Sequence, residues 1–268
     1  LVGSSLALIY AENFSWSLTY QLMALIMALN IIFSIYISSE TENSELVKLN
    51  YKQSIIEPIN DFFSRFGIKM ASILLLIIAT YRLTDIVMGP MANPFYIDMG
   101  YSLSEIGYVV KVVALIATII GVFIGGFFIK RFGLYSSLLI GGSLVMLTNL
   151  CFSYAAINEK NLILLASIVA SDSLAAGIVG TVNITFLTSL VSSKYTGFQY
   201  ALLTSLMAFL GKIFGGFSGV LVENFQNLYG FNYGWMSFYI FTSLLAIPAI
   251  LTIFFNKNFF IAKHVKDN

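Results

Sequence analysis

The sequence holds one cysteine, one histidine and four prolines, and only 10% of its 268 residues are charged. Each scarcity excludes something. A single thiol, Cys151, rules out a disulfide framework within the chain and any cysteine-built metal site. The lone histidine, His264, sits in a polar tail, which removes histidine-based catalysis from the apolar segments. A soluble domain is typically about a quarter charged, and this chain falls far short of that. Its net charge of +1 leaves no bulk electrostatic case for nucleic acid. No phosphate-binding glycine loop, zinc-ligand cluster or serine elbow occurs. No local pattern supplies a nucleophile with a base and an oxyanion hole. The chain reads as no enzyme, with neither cofactor nor metal.

What is abundant is apolar: 58% of the residues are hydrophobic and the mean hydropathy is +0.87. A helix needs about 20 mostly apolar residues to cross a bilayer. Seven stretches qualify, roughly 16–38, 68–91, 105–128, 135–156, 161–190, 197–222 and 235–255. The opening LVGSSLALIYAEN reads as the end of a helix already under way. It lacks the basic start and small-residue cleavage site of a signal peptide, so an N-terminal part is expected to precede it. The expected fold class is all-α: a multi-pass transmembrane helix bundle, N-terminally incomplete, with about seven full spans and a partial one.

Most connections are short, and residues 39–67 form the one long polar segment. Within it Ile55, Ile59, Phe62, Phe63 and Phe66 recur at helical spacing, predicting an amphipathic helix on the membrane surface. Lysine and arginine placement sets the orientation. Ten of the 14 basic residues fall on one side, among them Lys48, Lys52, Arg65, Lys69, Lys130, Arg131 and Lys194, against Lys160 alone on the other. The linker and the C-terminus are therefore expected in the cytoplasm. Six helices, a long cytoplasmic loop and six more helices is the plan of major facilitator transporters, whose halves are internal repeats. On that plan residues 1–38 end the N-terminal bundle, as a partial helix 5 and helix 6. Residues 39–67 are the linker, 68–256 the C-terminal six-helix bundle and 257–268 a cytoplasmic tail.

Five ionisable residues fall within expected spans: Arg82, Asp85, Lys111, Asp172 and Lys212. Charge in hydrocarbon is costly, so such residues pair or line a polar path. Arg82 and Asp85 lie three apart on one helix face. They form either a structural ion pair or a functional one, in which Arg82 grips an anion while Asp85 exchanges a proton. Lys212 is mid-span, and its alternatives are a pair with Asp172 or with a partner half. Three positive groups against two negative favour an anionic solute. Asp172 and Asn183 occupy a span rich in Ser, Thr and Gly, where helix-to-helix hydrogen bonding and a substrate path are both open. Glycines four apart, Gly121 with Gly125 and Gly211 with Gly215 and Gly219, predict close helix packing. Pro90 and Pro94 are expected to end their helix, and Pro248 to kink the last span.

Two resemblances follow. GGFFIKRFGLYSS, residues 125–137, resembles the cytoplasmic loop signature of the major facilitator superfamily. Gly126, Arg131 and Gly133 match it, and Lys130 stands where that signature has Asp. The stretch 81–126 resembles the AmpG muropeptide permeases through Arg82, Asp85, Pro94, Phe95, Gly100, Ser102, Glu105 and Lys111. LTNLCFSYAA, YTGFQYALLTSLMAF and GWMSFYIFTSLLAIP extend the likeness to the last span. The resemblance implies proton-coupled import of anhydro-muropeptides across a bacterial inner membrane, with the proton as the coupling ion. The charged and polar residues of the spans supply the candidates: substrate contacts at Arg82, Lys111, Lys212 and Asn183, and proton coupling at Asp85 or Asp172. The expected partners are the lipid bilayer, the small anionic substrate and a separately encoded N-terminal half. A carrier for a different anion and a truncated, non-transporting remnant are the alternatives.

Overall fold

The computed structural model describes residues 15–37 and 51–260, and among these there is no strand. The chain divides into two compact units, Leu1–Gln53 and Ser54–Asn268. In the first, α1 (Trp16–Ile37) has 22 residues, about 33 Å at 1.5 Å per residue, which is enough to cross a bilayer. The partial helix expected before it, the linker up to residue 50 and the tail from residue 261 lie outside the described residues.

The second unit contains α2 (Tyr51–Tyr81) from Ser54 onward, α3 (Leu83–Asp98) and α4 (Leu103–Ile106). A π-helical turn (Gly107–Val113) then leads into α5 (Ala114–Ala156). The remainder is α6 (Leu162–Leu190), α7 (Thr196–Gly216), α8 (Ser218–Tyr229), α9 (Phe231–Leu244) and α10 (Ile247–Phe255). Two glycines set the topology. Gly67 (φ 71°) breaks α2 into a polar first rod and an apolar second one, and Gly133 (φ 76°) breaks α5. A side chain at such a φ costs roughly 1–2 kcal/mol, which glycine avoids.

Six stretches among the described residues are long and apolar enough to cross a membrane. One of them, Ser104–Ala156, has 53 residues and makes two passes, because the chain reverses at Gly133. Gly121 and Gly125 pack on Leu174 and Ile178 of α6, and further on Gly141 packs on Val179 while Thr148 bonds Asp172. The first rod thus runs parallel to α6 and the second antiparallel.

The first rod of α2 departs from expectation. Its apolar face does not lie free for lipid: Phe62 is 5% exposed, and Phe63 and Phe66 pack against the same core. Gln199, buried on α7, fastens the polar side. Its Nε2 donates to Pro58 O (2.8 Å) and Asp61 Oδ2 (2.9 Å), and its Oε1 accepts from Arg65 Nη2 (3.1 Å) and Ser192 N (2.7 Å). Arg65 also reaches Leu190 O at 3.0 Å, and Tyr195 Oη donates to Glu57 at 2.9 Å. An amphipathic pattern specifies one buried face and not what buries it.

Pro90 and Pro94 do not end their helix, since α3 runs through both to Asp98. The carbonyl that Pro90 deprives of a donor, Ile86 O, faces Gly215, and Ser218 Oγ donates to the next one, Val87 O, at 2.7 Å. Close approach of a neighbouring helix and a hydroxyl on the adjacent carbonyl support the backbone at the proline, and such support lets a spanning helix continue. The last span does break, at Leu245 and Ala246, just before Pro248.

Buried apolar side chains form two clusters. One gathers around Ile77, Leu138, Val182 and Phe186, near the linker; the other around Phe95, Phe152, Trp235 and Tyr239, at the far end.

Candidate functional site

The two clusters leave a gap, and a group of the polar side chains of the spans falls into it. Along the chain the near cluster stops at Tyr81, Val145, Ala175 and Ala249, and the far one at Met88, Phe152, Val169 and Tyr239. Between those limits lie Arg82, Thr84 and Asp85; Thr148 and Asn149; Asp172; and Thr242 and Ser243. Four helical passes therefore contribute to one polar belt across the middle of the bundle. Buried polar groups need partners, so the bonding of this belt decides what it can do.

Arg82 sits where the helix is interrupted, with φ −106° and ψ 9° between α2 and α3. Its Nη2 lies 3.4 Å from Asp85 Oδ2, and the two side chains are 32% and 20% exposed. Arg82 Nε is buried without a hydrogen-bond partner. A guanidinium carries five N–H donors, and this one makes a single long contact to its carboxylate, so it retains donors for an anion. Asp172 accepts from Thr148 Oγ1 at 3.0 Å. Asp85 and Asp172 are close enough for their charges to interact. Thr242 Oγ1 donates to Asn149 Oδ1 at 3.3 Å, and Tyr81 Oη to Leu138 O at 3.0 Å, tying α9 and α2 to α5. Thr84 Oγ1, Tyr239 Oη and Ser243 Oγ are buried with no partner.

The structure pairs Arg82 with Asp85 and sets Asp172, bonded to Thr148, at the same height, and it separates other expected residues from them. Lys212 is at belt height on α7 but exposed, beside Gly211, which packs on Ile86; it has no ion-pair partner among the described residues. Asn183 is 3% exposed between α6 and α7, with Nδ2 3.3 Å from Met207 Sδ and Oδ1 unpartnered. Lys111 falls in the π-helical turn, an element frequent at functional sites, and its side chain lies outside the described residues. Gly126 and Arg131 are exposed on α5, next to the reversal at Gly133. Thr84, Thr148, Asn149, Thr242, Ser243 and Tyr239 were absent from the sequence-based set. Their shared height in the bundle was the signal, and it becomes visible only once the helices are aligned.

At the far end, Ser102 and Glu105 form a reciprocal cap on α4, with Ser102 N donating to Glu105 Oε2 at 2.7 Å. Lys160 pairs with the same carboxylate at 2.8 Å. Trp235 Nε1 donates to Asp98 Oδ2 at 3.0 Å, and Tyr101 Oη to Asn161 O at 3.0 Å.

A profile of the Major Facilitator Superfamily matches residues 1–216. AmpG 4 of Rickettsia felis is 31% identical over 248 residues, covering 91% of this chain and 57% of that protein. AmpG 1 of Rickettsia prowazekii is 34% identical over 195 residues, 72% of this chain and 42% of that protein. The anhydromuropeptide permease of Escherichia coli is 29% identical over 271 residues, which cover 100% of this chain and 52% of the permease. The chain thus spans about half the length of the curated relatives it matches.

Proposed function

Since the chain belongs to the Major Facilitator Superfamily, we propose that it forms part of a proton-coupled carrier for anhydro-muropeptides in a bacterial inner membrane. The observation that carries this reading is the polar belt at mid-span, where the Arg82–Asp85 pair and the Thr148-bound Asp172 lie at one height between the two apolar clusters. Intramembrane ionisable groups that face a polar interior mark a transport path. Arg82 is partly exposed with donors to spare and binds a carboxylate of the substrate. Lys212, on the exposed face of α7, supplies a second cationic contact. Asp85 or Asp172 carries the proton, so that solute and proton move together. The linker and C-terminus face the cytoplasm. The carrier is completed by an N-terminal half, in the same chain or separately encoded. No resident cofactor or metal takes part. The similarity to an anhydromuropeptide permease supports the choice of solute, and the cationic excess in the spans suits its carboxylates.

The test is uptake by the full-length protein in proteoliposomes under an imposed pH gradient. Arg82→Ala raises KM for the muropeptide, and Asp85→Asn abolishes pH-driven accumulation. If Asp85→Asn accumulates solute with unchanged pH dependence, Asp85 is not the proton carrier. If wild type transports other organic anions and not muropeptides, the solute assignment is wrong.

A further inference from the structure

Tyr239 is 0% exposed, and its hydroxyl has no hydrogen-bond partner. Its ring is fully accounted for: it stacks on Phe152 with centroids 5.2 Å apart and meets Phe95 edge-on at 5.0 Å. The hydroxyl is another matter. A buried unsatisfied donor costs about 1–3 kcal/mol, and phenylalanine would keep the packing without that penalty. One turn further along α9 is a second buried hydroxyl without a partner, Ser243 Oγ. Two such groups on one helix face point to something small and polar between them and the neighbouring helices.

The surroundings identify what lies next to them. Phe152 is one turn past Thr148 on the same face of α5, and Thr148 holds the Asp172 carboxyl at 3.0 Å. Tyr96 flanks Phe152 on the α3 side, with centroids 6.4 Å apart, and is 3% exposed. Tyr239 is within electrostatic reach of both Tyr96 and Asp172. One turn before Tyr239 is Trp235, stacked on it at 6.1 Å and hydrogen-bonded to the exposed Asp98 at the far end. The polar groups therefore descend from that end to the belt. The order is Asp98 with Trp235, then Tyr96 and Tyr239, then Ser243 and Asp172.

We propose that buried water held by the Tyr239, Tyr96 and Ser243 hydroxyls links Asp172 to the far end, and that Asp172 gains and loses its proton along this route. A buried water makes about three hydrogen bonds to otherwise unsatisfied polar groups, which matches the available hydroxyls. The proton enters from solvent at the far end, where Trp235 only anchors Asp98 and relays nothing; each water and hydroxyl then passes one proton on as it accepts another, so no charge is left on the route and the net change is one proton on the Asp172 carboxylate. The charged and titratable groups around Asp172 are Asp85 across the belt, itself paired with Arg82, Tyr96 on α3 and Tyr239 on α9; Thr148 of α5 fixes the carboxyl. Tyr239 acts as a positioning residue for the proton.

The inference rests on the proton-coupled reading, and the following experiment separates the two because it needs no substrate. Infrared difference spectra across a pH step are recorded on the full-length protein in lipid, for wild type, Asp172→Asn, Tyr239→Phe and Ser243→Ala. The expected result is a protonated-carboxyl band that Asp172→Asn removes and both hydroxyl variants displace. Proton uptake after a pH jump should slow about tenfold or more in Tyr239→Phe. Tyr239→Phe keeps the ring packing and removes no hydrogen bond to another protein group, so the fold is retained and thermal stability stays close to that of wild type. A wild-type band and rate in both hydroxyl variants overturns the route, even where solute uptake is proton-driven. If Asp172→Asn removes no band, the route also falls, while coupling through Asp85 stands.

Discussion

The attachment of the first rod of α2 can be weighed by replacing Gln199 with leucine. Gln199 is 2% exposed and uses both its amide protons and both lone pairs. Three of the four bonds join the rod to α7, at Pro58, Asp61 and Arg65. Bonds to charged groups reach about 1.5–3 kcal/mol, but Arg65 and Asp61 are 32% and 26% exposed and can turn to water. About 1 kcal/mol for each bond is the fair value, or about 3 kcal/mol in all. The Arg65 to Leu190 and Tyr195 to Glu57 bonds survive, as does burial of Phe62. Gln199→Leu should therefore loosen the rod without unfolding the bundle. At tenfold per 1.4 kcal/mol, local opening rises about a hundredfold. Hydrogen–deuterium exchange of the 54–66 amides measures it directly, with α6 amides as the internal reference. A change below about fivefold in 54–66 would show that apolar packing alone holds the rod. Equal acceleration in α6 would show that the rod and the bundle unfold as one.

Other outcomes follow from the same geometry. Tyr195→Phe removes only the 2.9 Å bond to Glu57, about 1 kcal/mol, and should speed exchange of 54–66 about fivefold. Gly133→Ala places a side chain at φ 76° and should lower the melting temperature by roughly 4 °C, while Gly126→Ala, with open space around it, should change little. Gly177→Ala drives a methyl group into the backbone at Thr118 and Val122 and should cost about 1–3 kcal/mol by thermal melting, whereas Gly180→Ala meets nothing and should be neutral. Trp235→Phe frees Asp98, which is exposed and resolvates, and leaves a gap at a site only 1% exposed, so a loss of about 2–3 kcal/mol is expected, or roughly 4–10 °C by thermal melting.

How far the sequence led depends on what each pattern encodes. Apolar runs of spanning length located the helices, because in lipid the backbone must satisfy itself and length is then the constraint. The spacing of Arg82 and Asp85 gave their pairing, since three residues is nearly one turn. The interruption of the helix at Arg82 was hidden, for nothing in TYRLTD marks a break. The prolines misled because Gly215 and Ser218, more than a hundred residues away, accommodate the carbonyls near Pro90. Thr148, Asn149, Thr242 and Ser243 are uncharged and isolated in sequence, so only the alignment of α5, α6 and α9 makes them a set. Lys212 was prominent as a charge in an apolar run, yet which way it points is set by Gly211 packing on Ile86.

The belt also has a mechanical side. Three helical interruptions fall at its height or within a turn of its polar residues: Arg82, Phe217 beside the Ser218 to Val87 bond, and Leu245 with Ala246 after Thr242 and Ser243. The bundle therefore has a waist. Helix breaks are where packed rods most readily change angle, and these lie between the cluster around Phe95 and Trp235 and the one around Ile77 and Leu138. Energies should follow the same division. A truncation such as Phe238→Ala in one cluster and Leu138→Ala in the other share no neighbours. Their losses should add to within about 0.5 kcal/mol, as if each half-height of the molecule kept its own interior.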